Sequence, residues 1–130
     1  MKRYEFNKLI RNKIPSRMKE EGVVINSRQL TREQFVQSLK SKLIEEAEEV
    51  AQAKTLDELV VEMADVLEVL HSLADAHDIP IRNIEQARIK KKEINGHFTA
   101  GDYINYIEVS EDNRKVIEYL ESKDRPYVNR

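Results

Sequence analysis

The stretch from Leu43 to Leu70, LIEEAEEVAQAKTLDELVVEMADVLEVL, holds one pattern twice. Its first half reads Leu43-x-x-Glu46-x-x-Glu49-Val50 and its second Leu59-x-x-Glu62-x-x-Asp65-Val66, with a turn signal at Lys54-Thr55 between them. At about 100° per residue, Leu43 and Val50 fall within roughly 20° of each other on a helix, as do Leu59 and Val66. In each half the first acid lies about 60° off that apolar line and the second about 120° off it. Both pairs therefore project from the edge of a face that has to be buried. Two ionised carboxylates about 6 Å apart repel by nearly 3 kcal/mol at an effective dielectric near 20. Four of them between packed helices must take up protons or hold a cation. Glu45, Glu48 and Glu68 fall on the opposite sides of their helices and are read as solvated.

The donor set narrows the cation. Hard carboxylate oxygens, with no sulfur and no paired imidazoles, favour Mg²⁺ or Mn²⁺ over zinc. The chain has no cysteine, which excludes disulfides, thiolate catalysis and zinc–sulfur sites. A di-iron carboxylate bundle also uses inward acids. However, Glu68-x-x-His71 is the one E-x-x-H unit, and it lies far around the helix from Glu62.

Working outward, Thr31-Arg32-Glu33-Gln34 reads as a capping box opening a helix to about Ala53, with Phe35, Val36, Leu39, Leu43, Ala47 and Val50 at helical spacing. Thr55-Leu56-Asp57-Glu58 reads as a second box. It opens a helix through Leu59, Met63, Val66, Leu67, Leu70, Leu73 and Ala74 that is apolar around much of its girth. Such a helix needs neighbours on more than one side, so a second subunit is expected: a homodimer or a dimer of dimers. A break at His77-Asp78-Ile79 precedes Pro80, and a further helix runs from Ile81 to about Ile94, with Asn95-Gly96 as its stop. Before the first long helix, the arm from Tyr4 to Pro15 lacks a period. A short helix is expected over 16–21 with Gly22 ending it, and Val23-Val24-Ile25 is a brief strand or a buried connector. After the last long helix, Tyr103 to Val109 is β-prone, Ser110 is placed to cap a short helix holding Val116, Ile117 and Leu120, and a polar tail follows Lys123.

These elements, 35% charged and 6% aromatic residues, predict an all-α antiparallel bundle with a small β-prone segment and a short helix at the C-terminus. At 130 residues the division expected is a helical domain over 1–98 and an extension over 99–130, packed on the same domain or on a partner subunit. A net charge of −2 provides no broad field for nucleic acid. No apolar run approaches the ~20 residues that cross a bilayer. The start, Met1-Lys2-Arg3, leads into no signal-peptide core, so the expected setting is cytoplasmic.

Glu45-Glu46-x-x-Glu49 followed by Glu62-x-x-Asp65 resembles the signature of the MazG-like all-α nucleoside triphosphate pyrophosphohydrolases, the superfamily that includes all-α dUTPases and phosphoribosyl-ATP pyrophosphohydrolase. Lys8-Leu9-Ile10-Arg11-Asn12-Lys13-Ile14-Pro15 is similar to the K-L-V-R-D-K-I-P opening of a short single-domain subgroup. Lys91-Lys92-Glu93-Ile94-Asn95-Gly96-His97-Phe98 stands where that subgroup has a lysine-rich helix end and an R-G-G-F turn. Two departures are Asn12 for the acid of the octet and Asn95 and His97 in the turn. The resemblance covers roughly residues 4–98. It implies antiparallel acidic helices with Glu46, Glu49, Glu62 and Asp65 holding Mg²⁺, or Mn²⁺ in its place, against substrate phosphates. It implies catalytic parts for Glu45, Glu46 and Glu49, and phosphate contacts from Arg11, Lys13, Lys91 and Lys92. The implied reaction splits a nucleoside triphosphate into a monophosphate and pyrophosphate, either as house-cleaning of non-standard or surplus nucleotides or as a biosynthetic step on phosphoribosyl-ATP. A non-catalytic nucleotide-binding or assembly protein on the same scaffold is the remaining alternative.

Overall fold

The computed structural model describes residues 1–122, so the polar tail lies outside the described residues. Among these residues five helices follow one another: α1 Ile14–Glu20, α2 Arg32–Gln52, α3 Leu56–Ala76, α4 Ile81–Asn95 and α5 Arg114–Leu120. Among the described residues there is no strand. The chain falls into two compact units, Met1–Lys91 and the remainder from Lys92.

The first unit is built on α2 and α3, which pack against each other. Their connection is only Ala53, Lys54 and Thr55, too short for anything but an antiparallel hairpin. At its far end, the Arg32 guanidinium at the start of α2 donates to the carbonyl of Ala76 at the end of α3. A cation suits that carbonyl end because the helix dipole is negative there. Leu39 of α2 and Val69 and Ala74 of α3 are buried, and Phe35, Val36, Leu43, Val50, Leu59, Val66, Leu70 and Leu73 are half-buried around them. The far sides of α3 remain open: Val60, Val61, Met63 and Leu67 are each more than half exposed.

The helix ends are set by short-range chemistry. The first capping box is complete: Thr31 Oγ1 accepts from Gln34 N at 3.2 Å and Gln34 Oε1 accepts from Thr31 N at 3.2 Å. The second is altered. Thr55 Oγ1 accepts from Glu58 N at 3.1 Å, but Glu58 Oε2 reaches past Thr55 to accept from Lys54 N at 3.0 Å. A longer reach satisfies the amide of the tight turn instead of the cap's own. Gly22 and Gly96 follow α1 and α4 with φ of 86° and 85°, the left-handed geometry that ends a helix at little steric cost.

Three local expectations are corrected. Tyr103 to Val109 forms no strand, because β-propensity needs a partner edge to become a ladder and the described residues contain none. Val23 and Val24 are exposed and Ile25 half-buried, so that segment is neither a strand nor a buried connector. Finally, Asn113 rather than Ser110 caps α5: Asn113 Oδ1 accepts from Val116 N at 3.4 Å, while Ser110 Oγ accepts from Asp112 N in the preceding turn.

Candidate metal centre

Glu46 is the one buried charged residue among those described, at 7% exposure. It comes from the second-last turn of α2, where the antiparallel hairpin brings it opposite Glu62 and Asp65 of α3. Oxygens of Glu46, Glu49 and Glu62 all lie within 4.8 Å of one another. Glu46 Oε2 and Glu62 Oε2 are buried with no hydrogen-bond partner. Unpartnered buried carboxylate oxygens are costly, and two in one cluster of acids can be satisfied together only by protons or a cation.

The proton affinities carry the same message. Burial first, then the charge of Glu49, push the Glu46 carboxyl above its ordinary 4.5, with Asp65 adding to the rise and Lys42 opposing it. A hydrogen bond shared with Glu49 leads the causes that raise Glu62, followed by desolvation and the charges of Glu49, Asp65 and Glu46. All four acids of the repeated pattern are therefore within electrostatic reach of one another.

Cations already answer part of that charge. Lys42 Nζ stands 3.6 Å from Glu46 Oε1 and 3.3 Å from Glu45 Oε1. Lys8 Nζ lies 4.0 Å from Glu45 Oε1. Arg11 Nη2 donates to Asp65 Oδ1 at 2.8 Å. Glu49 and Glu62 have no such partner, so with both ionised the cluster is short of two positive charges. An array of oxygen donors short of two positive charges fits a hard divalent ion. Beside it, an open cleft of about 200 Å³ is lined by Glu49, Gln52, Ala53, Glu58 and Glu62.

The chain matches the family model described as phosphoribosyl-ATP pyrophosphohydrolase over residues 3–92. It belongs to that family. The phosphoribosyl-ATP pyrophosphohydrolase family lies within the MazG-like helical superfamily, and its members are hydrolases of the pyrophosphate bond. The matched segment contains the opening arm, both acidic helices and most of α4. No curated protein and no solved structure matches the chain significantly.

Within this member of the family the sequence-derived residues separate into groups. Glu46, Glu49 and Glu62 converge, and Asp65 stands beside them on its ion pair with Arg11. Glu45 is not a freely solvated acid: its side chain is 39% exposed and clasped by Lys8 and Lys42. Glu48 and Glu68 are exposed. Lys13 occupies the N-cap position of α1 with its side chain in solvent. Lys91 closes the first unit and Lys92 opens the second, both exposed. His97 pairs locally, its Nδ1 2.6 Å from Thr99 Oγ1.

Lys42 was missed on the sequence. Its signal was available, since it precedes Glu45 by three residues and Glu46 by four, the spacings at which helical side chains meet. Lys8 gave no signal beyond its place in the octet, because its partner is distant in the chain.

No helix among the described residues is long and apolar enough to cross a membrane.

Proposed function

We propose that the protein is a nucleoside triphosphate pyrophosphohydrolase dependent on Mg²⁺, or on Mn²⁺ in its place, acting on non-standard or surplus nucleotides. The observation that supports this most is the pair of unpartnered buried oxygens, Glu46 Oε2 and Glu62 Oε2, inside a cluster of carboxylates. Glu46, Glu49, Glu62 and Asp65 would hold the ion. When bound, the ion neutralises charge on the phosphate oxygens, which otherwise repel an incoming nucleophile.

In the reaction, water adds to phosphorus at the α–β bridge and the bridging P–O bond breaks. A nucleoside monophosphate and pyrophosphate leave with the water's proton released. Glu49, exposed and without a cationic partner, suits the role of taking that proton. Glu45, clasped between two lysines, is better suited to orienting the water or a ligand than to receiving a proton. Arg11 and Lys13, with Lys91 and Lys92, supply candidate contacts for the remaining phosphate oxygens.

The working form is proposed to be a homodimer or dimer of dimers, in which a second copy covers the open apolar side of α3. The short chain and the opening octet favour house-cleaning. The family description favours phosphoribosyl-ATP as an alternative substrate with the same scissile bond. Pyrophosphate release from a panel of standard triphosphates, damaged triphosphates and phosphoribosyl-ATP, with Mg²⁺ or Mn²⁺, separates these readings. Release from phosphoribosyl-ATP alone would replace the house-cleaning role with the biosynthetic one. No release from any member would leave a binding or assembly protein.

A further inference from the structure

The arm formed by residues 1–13 is held to the hairpin in an unusual way. Its backbone makes only local hydrogen bonds among the described residues, Arg11 O accepting from Ile14 N and Lys13 O from Arg17 N. Leu9 and Ile10 are half-buried, while Tyr4 and Phe6 are exposed. The two long-range polar contacts of the arm land on Asp65 of the candidate centre, through Arg11, and on Glu45 beside it, through Lys8. Arg11 thus attaches the arm through one of the charges that would hold the ion, and Lys8 through the acid next to another, Glu46.

Asp65 shows the consequence. Its charge reaches Glu46 and Glu62, yet it is absent from the set of oxygens that lie within 4.8 Å of one another. Its Oδ1 is instead engaged by Arg11 at 2.8 Å. Both partners are substantially open, with side-chain exposures of 60% and 32%. A pair so exposed to water is weak and readily exchanged. A guanidinium and a divalent ion at the same carboxylate also repel each other, so the two compete twice, for the oxygen and through charge.

We propose that Arg11 is a stand-in cation that guards Asp65 until a divalent ion takes the carboxylate, after which Arg11 is released to the nucleotide's phosphates and the arm acts as a latch linking the two events. The proposal rests on the metal reading of the four carboxylates and goes beyond it, because it sets opposite signs for one residue. Without nucleotide, Arg11 opposes metal binding. With nucleotide present, it supports binding, since its fork then meets phosphate oxygens instead of a ligand to the ion. Linkage makes the exchange reciprocal: whatever loosens Arg11 from Asp65 favours the ion, and the ion loosens the arm.

The test uses the full chain at low salt, with Mn²⁺ as probe followed by electron paramagnetic resonance. Wild type is compared with Arg11→Met, with Arg11→Lys, and with Lys13→Met as a control for simple loss of charge from the arm. Expected is that Arg11→Met binds Mn²⁺ alone roughly three- to tenfold more tightly, Arg11→Lys less markedly so, and Lys13→Met nearly as wild type. Binding of a triphosphate with a methylene α–β bridge, in the presence of Mn²⁺, should weaken in Arg11→Met. Limited trypsinolysis at Lys8 should accelerate in wild type when Mn²⁺ alone is added, and slow again with the analogue. If Arg11→Met binds Mn²⁺ no more tightly than a wild type that does bind it, the latch is overturned while the metal centre stands. If wild type binds no Mn²⁺, the centre itself fails and the latch with it. Arg11 is exposed, so loss of the fold is not expected to obscure either result.

Discussion

The two sides of the α2–α3 hairpin are each composed against the usual rule, and in opposite senses. On one side, charge is crowded inward: Glu46 is buried, and its Oε2 and that of Glu62 have no partner. On the other, apolar surface is turned outward, with Leu56 at 80% exposure and Val60 at 66%. A chain selected to be stable alone would exchange the two arrangements. Their coexistence on one helix pair is the contrast that our two proposals answer, a cation on the acidic side and protein on the apolar one. The first is supported by the convergence of three carboxylates. The second is our proposal of a second copy.

The sharpest way to break this contrast is to neutralise the acidic side. Glu49→Gln is expected to lower turnover by about a thousandfold or more, since charge stabilisation by a bound metal is worth several kcal/mol in the transition state. The same change should raise the metal-free thermal midpoint by about 2–5 °C, because it removes a charge that presses on Glu46 and Glu62. Kinetics and metal-free calorimetry read the two effects. A lowered midpoint in chelator would show that Glu49 is a structural acid.

The apolar side is tested by Leu67→Glu. In an isolated chain, a substitution at a residue 58% exposed should change stability by no more than about 0.5 kcal/mol. If a second copy covers α3, the new charge is buried on assembly and association should weaken by about a hundredfold. Light scattering across a concentration series distinguishes these results, an unchanged mass being the one that removes α3 as the interface.

A smaller effect distinguishes the sides by pH. Glu46 and Glu62 have carboxyls raised above the ordinary 4.5 in the folded state. Their contribution to stability is therefore fully present below about 4.5 and lost as pH climbs through the raised values. Metal-free protein should melt higher at pH 5 than at pH 7, and saturating Mg²⁺ should flatten or reverse that slope because the ion requires ionised ligands. Melting curves with and without Mg²⁺ give the comparison directly. A slope unaffected by Mg²⁺ would detach these two acids from the ion. Smallest of all, Glu48→Gln should leave turnover and melting nearly unchanged, since Glu48 is exposed on the same helix. A large loss there would blur the division between the faces of α2.

The repeated acidic pattern and its apolar line were legible because helical periodicity is a local property. Angle alone brought Glu46, Glu49, Glu62 and Asp65 to comparable positions on two helices, and the cap at Thr31 was equally local. Legibility failed where a residue's state depends on what lies across from it. Tyr103 to Val109 has strand composition but no partner edge among the described residues, and Glu58 bypasses its own cap for Lys54. Glu45 was read as solvated from its angle, yet an arm distant in sequence supplies Lys8 to meet it.

What the sequence determined by itself was the helical class, the hairpin and the identity of the acids, since these follow from spacing along one chain. Tertiary structure alone decided which acid is buried and which oxygens lack partners. It also decided that Arg11 holds Asp65 apart from the three glutamates. Burial and electrostatic pairing depend on distance through space, and no one-dimensional period encodes that for groups more than a few turns apart.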